Sequence, residues 1–528
     1  MKSSKITLCV VTITVCLLLS RYVLTGTAGT QFVVGFMENV ESKYPPRLVI
    51  GGNMNTSSNV TITCPGLNFS RLIIVPKMDA VTVKLPHGAV ANGTGHAQKG
   101  ILVESTNDIT VFGLNTASAN SLDGFTAIPT GLLGQNYRVI SSNVSDELEI
   151  GRRFSEFLLI GVFDDTSVKV RLAAPTTYQH VSYSPGDVIA ILISRLETVQ
   201  LQSLRDLTGT RVISSRPVAV LSGSKCANVP VDVSACDHLA EYLPPTDQWG
   251  REFILATFLA RMSGDYFTLV GFEPGTIVTV VAPSVGNTTV NLKDDGDFHT
   301  FKLNSLESGY VTSSQPIMIA QYSQGAFADG GVIGDPSMLI VTPIDQWLQS
   351  NTNGVSFRTY DSTPDELKII RTFLTVTSWC SVIDDVVVDG EPLSVPTELV
   401  RKRNSEKKDD YLCVKRSQLT PGAHHTVRAL TTNTAFAAYV YGFGEHVSYA
   451  FPLGTGHGTP GPIMEPSPIT NTTIQEETVY LSTDIARHVI LSITVTCVCV
   501  LIVFAFRKKL KTVVRPRPVS IKPRSIVT

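Results

Sequence analysis

The chain has 528 residues, of which 43% are hydrophobic and 17% charged, with 39 Gly and 29 Pro. This composition excludes a disordered, collagen-like or simple coiled-coil protein, and the length corresponds to about three or four domains. The formal net charge of −2 gives no indication of nucleic-acid binding. The charge is nevertheless segregated, because residues 507–528 hold eight basic residues and no acid, whereas residues 29–486 hold 31 basic against 45 acidic residues.

Residues 1–28 are predicted to be a secretory signal peptide. Lys2 and Lys5 supply the positive start, residues 6–19 form an apolar run of 14, and Gly26 and Ala28 are small residues of the kind that signal peptidase accepts. Fourteen apolar residues are too few to cross a bilayer comfortably, which argues against a membrane anchor here. We expect cleavage after Ala28.

Residues 29–453, which follow the predicted signal peptide, are rich in patterns typical of β-strands. Short apolar runs with period-two alternation, such as 79–85, 166–172 and 276–281, are separated by Gly, Pro and Asn. No long helical periodicity precedes residue 487. The fold class is therefore predicted to be all-β.

An internal repeat subdivides this region. A Ser/Thr pair that enters an apolar strand recurs, and the second hydroxyls are spaced 109, 99 and 118 residues apart, at Thr106, Ser215, Ser314 and Thr432. The repeat predicts about four tandem β-sandwich-like units at 29–130, 131–246, 247–344 and 345–453. A single propeller is an alternative, although roughly 100 residues is long for one blade. The repeated hydroxyls and prolines are expected to maintain the fold, and function is expected in the unequal loops.

The C-terminal segments predict a membrane anchor. Residues 454–486 are rich in Gly, Pro, Ser and Thr and are predicted to be an extended stalk. Residues 489–506 form an uncharged apolar run of 18, and Arg507, Lys508 and Lys509 follow at once. This pattern predicts one transmembrane helix at 487–506 and a basic cytoplasmic tail at 507–528 that rests on anionic lipid. The chain is thus predicted to be a single-pass type I plasma-membrane protein with an extracellular N-terminus.

Glycosylation and cysteine usage agree with an extracellular location. Five cysteines lie outside the signal and the span. Cys226 and Cys236 are ten residues apart and are expected to form a bridge, Cys380 and Cys413 are the natural second pair, and Cys64 is left to be buried or to link chains into a homo-oligomer. Other pairings stay open at this point. Seven Asn-x-Ser/Thr sequons are predicted to carry glycans, namely Asn55, Asn59, Asn68, Asn92, Asn143, Asn287 and Asn471.

Candidate ligand-binding residues lie just after Cys236. Asp237, His238 and Glu241 are close in sequence, and on a helical turn His238 and Glu241 would share a face, as metal ligands can. The segment supplies only part of a zinc ligand set, so a polar loop is the simpler interpretation. No nucleophile elbow, zinc-protease helix or phosphate-binding loop occurs, so we predict neither catalysis nor a cofactor.

Two segments resemble the N-terminal domain of the IgG-Fc-binding protein family. Residues 29–39 are similar to its opening, and residues 215–245, extended by 249–253, are similar to its most recognisable stretch. The resemblance covers about residues 29–453 and implies an extracellular, non-enzymatic binding domain associated with mucus and mucosal defence. The Cys-rich von Willebrand factor D-type modules of the large secreted members are absent from this sequence, and a membrane span is predicted instead.

The preferred hypothesis is a cell-surface glycoprotein that acts as a non-enzymatic recognition or adhesion receptor for extracellular proteins or glycans. One alternative is a structural surface-coat protein whose copies associate laterally. Another is an ectoenzyme whose site is dispersed over the fold, for which Asp237, His238 and Glu241 are the first residues to examine.

Overall fold

The computed structural model describes residues 26–40, 44–116, 121–142, 153–349, 354–360, 369–401, 411–431 and 434–456. These residues form 35 β-strands and contain no α-helix, so the all-β prediction is confirmed for this part of the chain. None of them forms a helix long and apolar enough to cross a bilayer. Residues 1–25, the predicted span at 487–506, the basic tail and most of the stalk lie outside the described residues.

The strands fall into four groups along the chain. In the first group a sheet in the order β4-β3-β7-β2-β5 also pairs β1 and β8 with the long strand β7. Its strands are β1 (Gly29–Val34), β2 (Arg47–Gly51), β3 (Ser58–Cys64), β4 (Phe69–Val75), β5 (Ala80–Lys84), β6 (Gly95–Ala97), β7 (Ile101–Thr116) and β8 (Leu122–Thr126). The second group comprises β9 (Asn136–Arg138), β10 (Ser155–Gly161), β11 (Thr166–Arg171), β12 (Thr176–Tyr178), β13 (Val181–Tyr183), β14 (Val188–Ile193), β15 (Thr198–Ser203), β16 (Arg211–Ser214), β17 (Val218–Ala227) and β18 (Asp237–Tyr242). Its sheets run β18-β17-β10-β15-β6 and β14-β11-β16-β9, with a separate β12–β13 hairpin, so β6 leaves its own group to pair with β15.

The third and fourth groups repeat this organisation. In the third, the order is β22-β21-β24-β20-β23, and β19 and β25 also pair with β24. Its strands are β19 (Gly250–Ala256), β20 (Asp265–Gly271), β21 (Thr276–Ala282), β22 (Gly286–Leu292), β23 (Phe298–Leu303), β24 (Ser308–Tyr322) and β25 (Met338–Ile340). The fourth comprises β26 (Leu348–Gln349), β27 (Val355–Arg358), β28 (Ile369–Trp379), β29 (Val386–Val388), β30 (Glu391–Pro392), β31 (Thr397–Arg401), β32 (Tyr411–Leu419), β33 (His424–Ala429), β34 (Ala435–Gly444) and β35 (Val447–Pro452). Its sheets run β26-β34-β28-β32-β31, with β35 beside β34, and β27-β33-β29-β30.

Seven short 3-10 helices connect the strands of the described residues. They are Pro65–Leu67, His87–Ala89, Thr130–Leu132, Thr246–Gln248, Ala326–Asp329, Ile344–Gln346 and Ile383–Asp385. Pro129, Pro245 and Pro343 each stand immediately before one of them, where the fixed φ of proline suits the turn. The repeated prolines therefore act in the fold, at the end of each of the first three groups.

Among the repeated hydroxyls, Thr106 and Ser314 lie inside the long strands β7 and β24, and Ser215 lies between β16 and β17. In each of three groups the second hydroxyl accepts a backbone N–H from the equivalent hairpin strand. The bonds, of 2.9–3.0 Å, run from Asn59 to Thr106, from Ser167 to Ser215 and from Ile277 to Ser314. Each hydroxyl satisfies a backbone donor of the neighbouring strand, as expected of a residue that maintains the fold. Thr432 of the fourth pair lies outside the described residues.

The hydrophobic cores are shared between successive groups. Four clusters of buried side chains occur, and each contains residues from two groups. Representative pairs within the four clusters are Phe125 with Leu158, Val199 with Met318, Phe253 with Tyr441, and Phe451 with Phe112. The last cluster joins the fourth group to the first, so every group shares one cluster with the group before it and another with the group after it.

The last strand of each group lies at the centre of this arrangement. These four central strands are β8, β18, β25 and β35, and they contact one another in the closed order β8–β18–β25–β35–β8. The two ends of the described chain lie next to each other. The Thr27 N–H donates to the Thr455 carbonyl at 3.0 Å, and the Thr455 N–H donates to Thr27 Oγ1 at 3.2 Å. The division at residues 130, 246 and 344 into separately folded units stays a prediction.

Candidate functional site

The most recognisable stretch of the sequence folds as the β17–β18 hairpin. The Cys226–Cys236 disulfide joins the two ends of its connecting loop, and the Cys380–Cys413 disulfide joins β32 to the residue after β28. Both predicted pairs are thus present. Cys64 is a free thiol at the end of β3 and is completely buried, and this burial raises its pKa. A covalent link between folded chains through Cys64 has no support from this position.

The three predicted ligand-binding residues lie on β18 and not on a helical turn. Asp237 and His238 are fully buried and Glu241 is 1% exposed, so a ligand in solution does not reach them. His238 and Glu241 are three positions apart and face opposite sides of the strand, because side chains alternate along a strand. The expectation of a shared face was therefore wrong. No group of His, Cys, Asp and Glu side chains among the described residues is arranged to hold a metal ion.

Asp237 and His238 hold the interior together. Asp237 Oδ1 accepts the Leu122 N–H at 3.0 Å, and its Oδ2 accepts the Ser448 N–H at 3.2 Å. His238 Nε2 lies 2.8 Å from the side-chain nitrogen of Asn115. Burial lowers the pKa of His238 to about 4, so the ring is neutral. The residues offered for a dispersed catalytic site are inaccessible from solvent.

A carboxylate that the sequence did not single out joins all four groups. Asp123 on β8 is fully buried, and burial raises its pKa well above the usual value. Its two oxygens accept four backbone N–H groups at 2.9–3.2 Å, one from each central strand. The donors are Gly124, Ala240, Met338 and Ala450. Asp123 thus satisfies donors on strands that come from distant parts of the chain.

Two further buried acids make stability depend on pH. Burial raises the pKa of Asp265 and of Asp335 to about 7, whereas both carboxyls titrate near 3.8 when unfolded. Between these values the folded chain binds more protons at these two carboxyls, so their contribution to stability is greatest at low pH and is lost as pH rises through 7. We expect the free energy of unfolding to increase by about 1 kcal/mol between pH 8 and pH 6.5, measured by thermal denaturation.

The window ends at pH 6.5 because the lowered pKa of His238 acts in the opposite direction below it. Asp335→Asn is the matched variant and should reduce the slope by removing one of the two groups. A stability that rises from pH 6.5 to pH 8 would contradict this assignment.

An open cleft of about 910 Å³ lies between the first and second groups. The β12–β13 hairpin forms one wall, β6 forms another, and the end of β15 lies between them. The lining consists mainly of rings, amides and hydroxyls, and includes Phe154, Gln179, His180, Tyr183 and Gln202. Such a lining is suited to a polar ligand that offers hydroxyl groups and a flat apolar face.

The tip of the hairpin points two side chains into this cleft. Gln179 and His180 are exposed and have φ of 48° and 64°, so the two central residues of the turn are both left-handed. This is the backbone of a type I′ turn, which favours Asn and Gly. Gln179 and His180 thus adopt a left-handed backbone conformation that Gln and His do not favour, and they do so at the mouth of the cleft.

A buried polar network supports the floor. Gln202 Nε2 donates to Glu156 Oε2 at 2.7 Å and to Glu38 Oε2 at 2.8 Å, and Lys225 Nζ lies 2.7 Å from Glu38 Oε1. Burial opposes the ionisation of Glu38, but hydrogen bonds from Lys225, Gly93 and Gln202 outweigh it and lower the pKa. Gln202 is therefore fixed as a rigid part of the floor.

His96 is positioned by its neighbours at the opposite wall. Its Nδ1 lies 2.7 Å from Glu197 Oε1, and its Nε2 contacts the Tyr178 hydroxyl. Both ring nitrogens are engaged, so the ring can present its face to a ligand but has no nitrogen left for a metal ion.

The predicted glycosylation sites are accessible where they are described. Asn55, Asn59, Asn68, Asn92 and Asn287 are all exposed. Asn143 and Asn471 lie outside the described residues. Asn92 is two residues from Thr94, which lines the cleft. Attachment of glycans stays a prediction.

Comparison with known proteins supports the family resemblance that the sequence of the β17–β18 hairpin carries. A family model described as IgGFc binding protein matches residues 123–442, more than half of the chain. The IgGFc-binding protein of Homo sapiens is 26% identical over 324 residues, which are 61% of this chain and 6% of the human protein. Among solved structures, that of the entire lipid-containing bacteriophage PM2 is 8% identical, covers 55% of this chain and 85% of the phage chain, and has a TM-score of 0.10, too low to indicate a shared fold. The chain therefore belongs to the IgGFc-binding protein family.

Proposed function

We propose that this protein is a single-pass type I cell-surface glycoprotein that recognises an extracellular ligand without catalysis. Family membership, two disulfides and exposed sequons support an extracellular location. The uncharged run at 489–506, followed by basic residues, supports a single span at the plasma membrane.

The open cleft is the observation that carries the proposal. Its aromatic rings can stack on the apolar face of a sugar, and its amides and hydroxyls can bond sugar hydroxyls. The ligand is therefore a glycan chain, free or carried by an extracellular protein. The human relative is named for the Fc region of IgG, so IgG Fc, a glycoprotein fragment, belongs in the test as a second ligand.

Replacing the two residues at the hairpin tip tests this cleft. The pair Gln179→Asn and His180→Gly shortens the first side chain, which draws its amide back, and removes the imidazole from the cleft, while it installs the residues that a type I′ turn prefers. We expect at least about a tenfold loss of glycan binding with an unchanged or higher thermal midpoint. The measurement is binding of a glycan array, mucin glycopeptides and IgG Fc to cells that display the full chain.

Leu306→Gly provides the matched control, because glycine adopts this backbone conformation and the change creates no Asn-x-Ser/Thr sequence. Leu306 is 57% exposed and has a φ of 58°, but it lies in a turn of the third group outside the cleft. Its variant should bind as the unmodified chain does. Equal binding by the hairpin variant, or no saturable binding by correctly folded protein to any member of the panel, would refute the cleft as the recognition site.

A further inference from the structure

Strand β14 is an exposed edge with an apolar face. Among the described strands it pairs only with β11. Its inward residues Ile189, Ile191 and Ile193 are buried in the core, whereas Val188 is 53% exposed and Leu192 is 60% exposed. The row of unpaired backbone groups along such an edge can pair with another extended segment.

The equivalent hairpin strands of two other groups carry or adjoin sequons. Asn59 on β3 pairs directly with Ile74 of the edge strand β4, so a glycan there would cover the exposed side chains of that edge. Asn287 lies within the edge strand β22. No Asn-x-Ser/Thr sequence occurs between residues 144 and 286, so β14 has no sequon of its own. Of these three edges, β14 is the one left uncovered.

The sheet face beside β14 is basic, although residues 29–486 as a whole are acidic. Arg171 lies opposite Val188 on one side and opposite Arg211 on the other, and Arg138 follows on the next strand. Lys169, exposed one row along, lies opposite the exposed Ala190. A segment added at this edge would therefore place its outward side chains near positive charge.

Acids of the third group compensate part of this charge, and Glu273 acts on both Arg138 and Arg211. Asp295 pairs with Arg138 and lies 3.6 Å from Arg211. The Phe272 ring lies 5.6 Å from each of these two guanidinium groups. Arg171 lies on the β14 side of this pair, opposite Val188, and is the charge that a docked segment would meet.

We propose that β14 is a docking edge for an extended acidic segment of a partner protein, one that alternates carboxylate and apolar side chains. The segment adds to the sheet by main-chain hydrogen bonds, its apolar residues continue the surface of Val188 and Leu192, and a carboxylate meets Arg171. A second copy of this chain fits less well, because it would bring a second basic row to the same edge. The part of the argument that concerns glycans rests on the extracellular location proposed above.

The probe is an acetylated seven-residue peptide of alternating Glu and Val, with the Lys and Val peptide as its charge-reversed partner. Full-length protein on cells is expected to bind the Glu peptide at least about tenfold more tightly than the Lys peptide, with a dependence on salt. Arg171→Glu should abolish this preference. Because it also removes repulsion from Arg211, it is not expected to impair folding.

Masking the edge with a glycan is the second arm. Ala190→Asn with Leu192→Thr creates a sequon on the outward face of β14, and the glycosylated chain is expected to lose the Glu peptide. Phe298→Asn creates a sequon in the same way, before Thr300 on the edge strand β23, and should leave peptide binding intact.

The outcomes separate the proposals. Equal binding of the two peptides, an unaltered preference in Arg171→Glu, or self-association of the full chain through β14 would overturn the acidic-segment assignment. The cleft hypothesis is not touched by these results, because Gln179 and His180 remain in place. If the new sequons stay unmodified while the protein is displayed on cells, the peptide arm alone decides the docking assignment, and absence of the protein from the cell surface would instead contradict the extracellular location.

Discussion

Asp123→Ala is expected to cause the largest loss of stability of any single substitution considered. The change leaves four buried backbone N–H groups, one on each central strand, without their acceptor. Each unsatisfied buried group costs about 1–3 kcal/mol, so the total of about 5 kcal/mol or more approaches the whole stability of a typical domain. We expect the variant to be retained inside the cell and to lose its cooperative unfolding transition.

Asp108→Ala is the matched control, because Asp108 lies in the same group on β7 and is exposed. It should reach the cell surface in normal amounts. Asp123→Asn keeps one carbonyl oxygen and should fall between the two. Normal surface expression and an unchanged melting curve for Asp123→Ala would show that the contact among the central strands does not depend on this carboxylate.

A chain that ends at residue 344 is expected to fail to fold. Removing the fourth group uncovers the cluster that contains Phe253 and Tyr441, and also the cluster that contains Phe112 and Phe451. Loss of fully buried aromatic contacts costs about 3–5 kcal/mol for each large side chain, and two clusters are affected at once. Secretion and resistance to limited proteolysis measure the result.

A chain that ends at residue 456 keeps all four clusters and should be secreted and resist the protease. If the first three groups were independent modules, the shorter chain would be equally resistant and would unfold with the same midpoint as these groups show in the longer chain. That result would favour tandem sandwiches over one cooperative body.

The sequence predicted the local features of the fold well. Period-two alternation gave the strands, as in the alternating buried and exposed residues of Thr166–Arg171. The repeated prolines Pro129, Pro245 and Pro343 precede turns as expected, whereas the hydroxyls expected at turns lie inside strands at Thr106 and Ser314; the two disulfides followed from cysteine spacing. These features depend on residues that are near one another in the chain, so their physical causes are visible in a short window.

The sites were less predictable because they depend on distant contacts. Asp237, His238 and Glu241 looked like surface residues by their polarity, but β18 is central and buries all three. The cleft forms only because β6 of the first group pairs with β15 of the second. Strand β6 has three residues and shows no periodicity, so this pairing could not be predicted from its sequence. The one available signal was the sequence from Thr176 to Tyr183, in which two short β-prone runs flank a pair of residues at hairpin spacing.

The proximity of Thr27 to Thr455 has a mechanical consequence. A pull on the polypeptide beyond residue 456 would first load the Thr27–Thr455 pair and the bond from the Gly456 N–H to the Gln346 carbonyl. These are a few bonds at one place, and they would open one after another before any sheet was stretched. If the chain is held by its C-terminal end, as proposed, shear flow would therefore open this pair of contacts first, while the cleft and β14, in the second group, would still be intact.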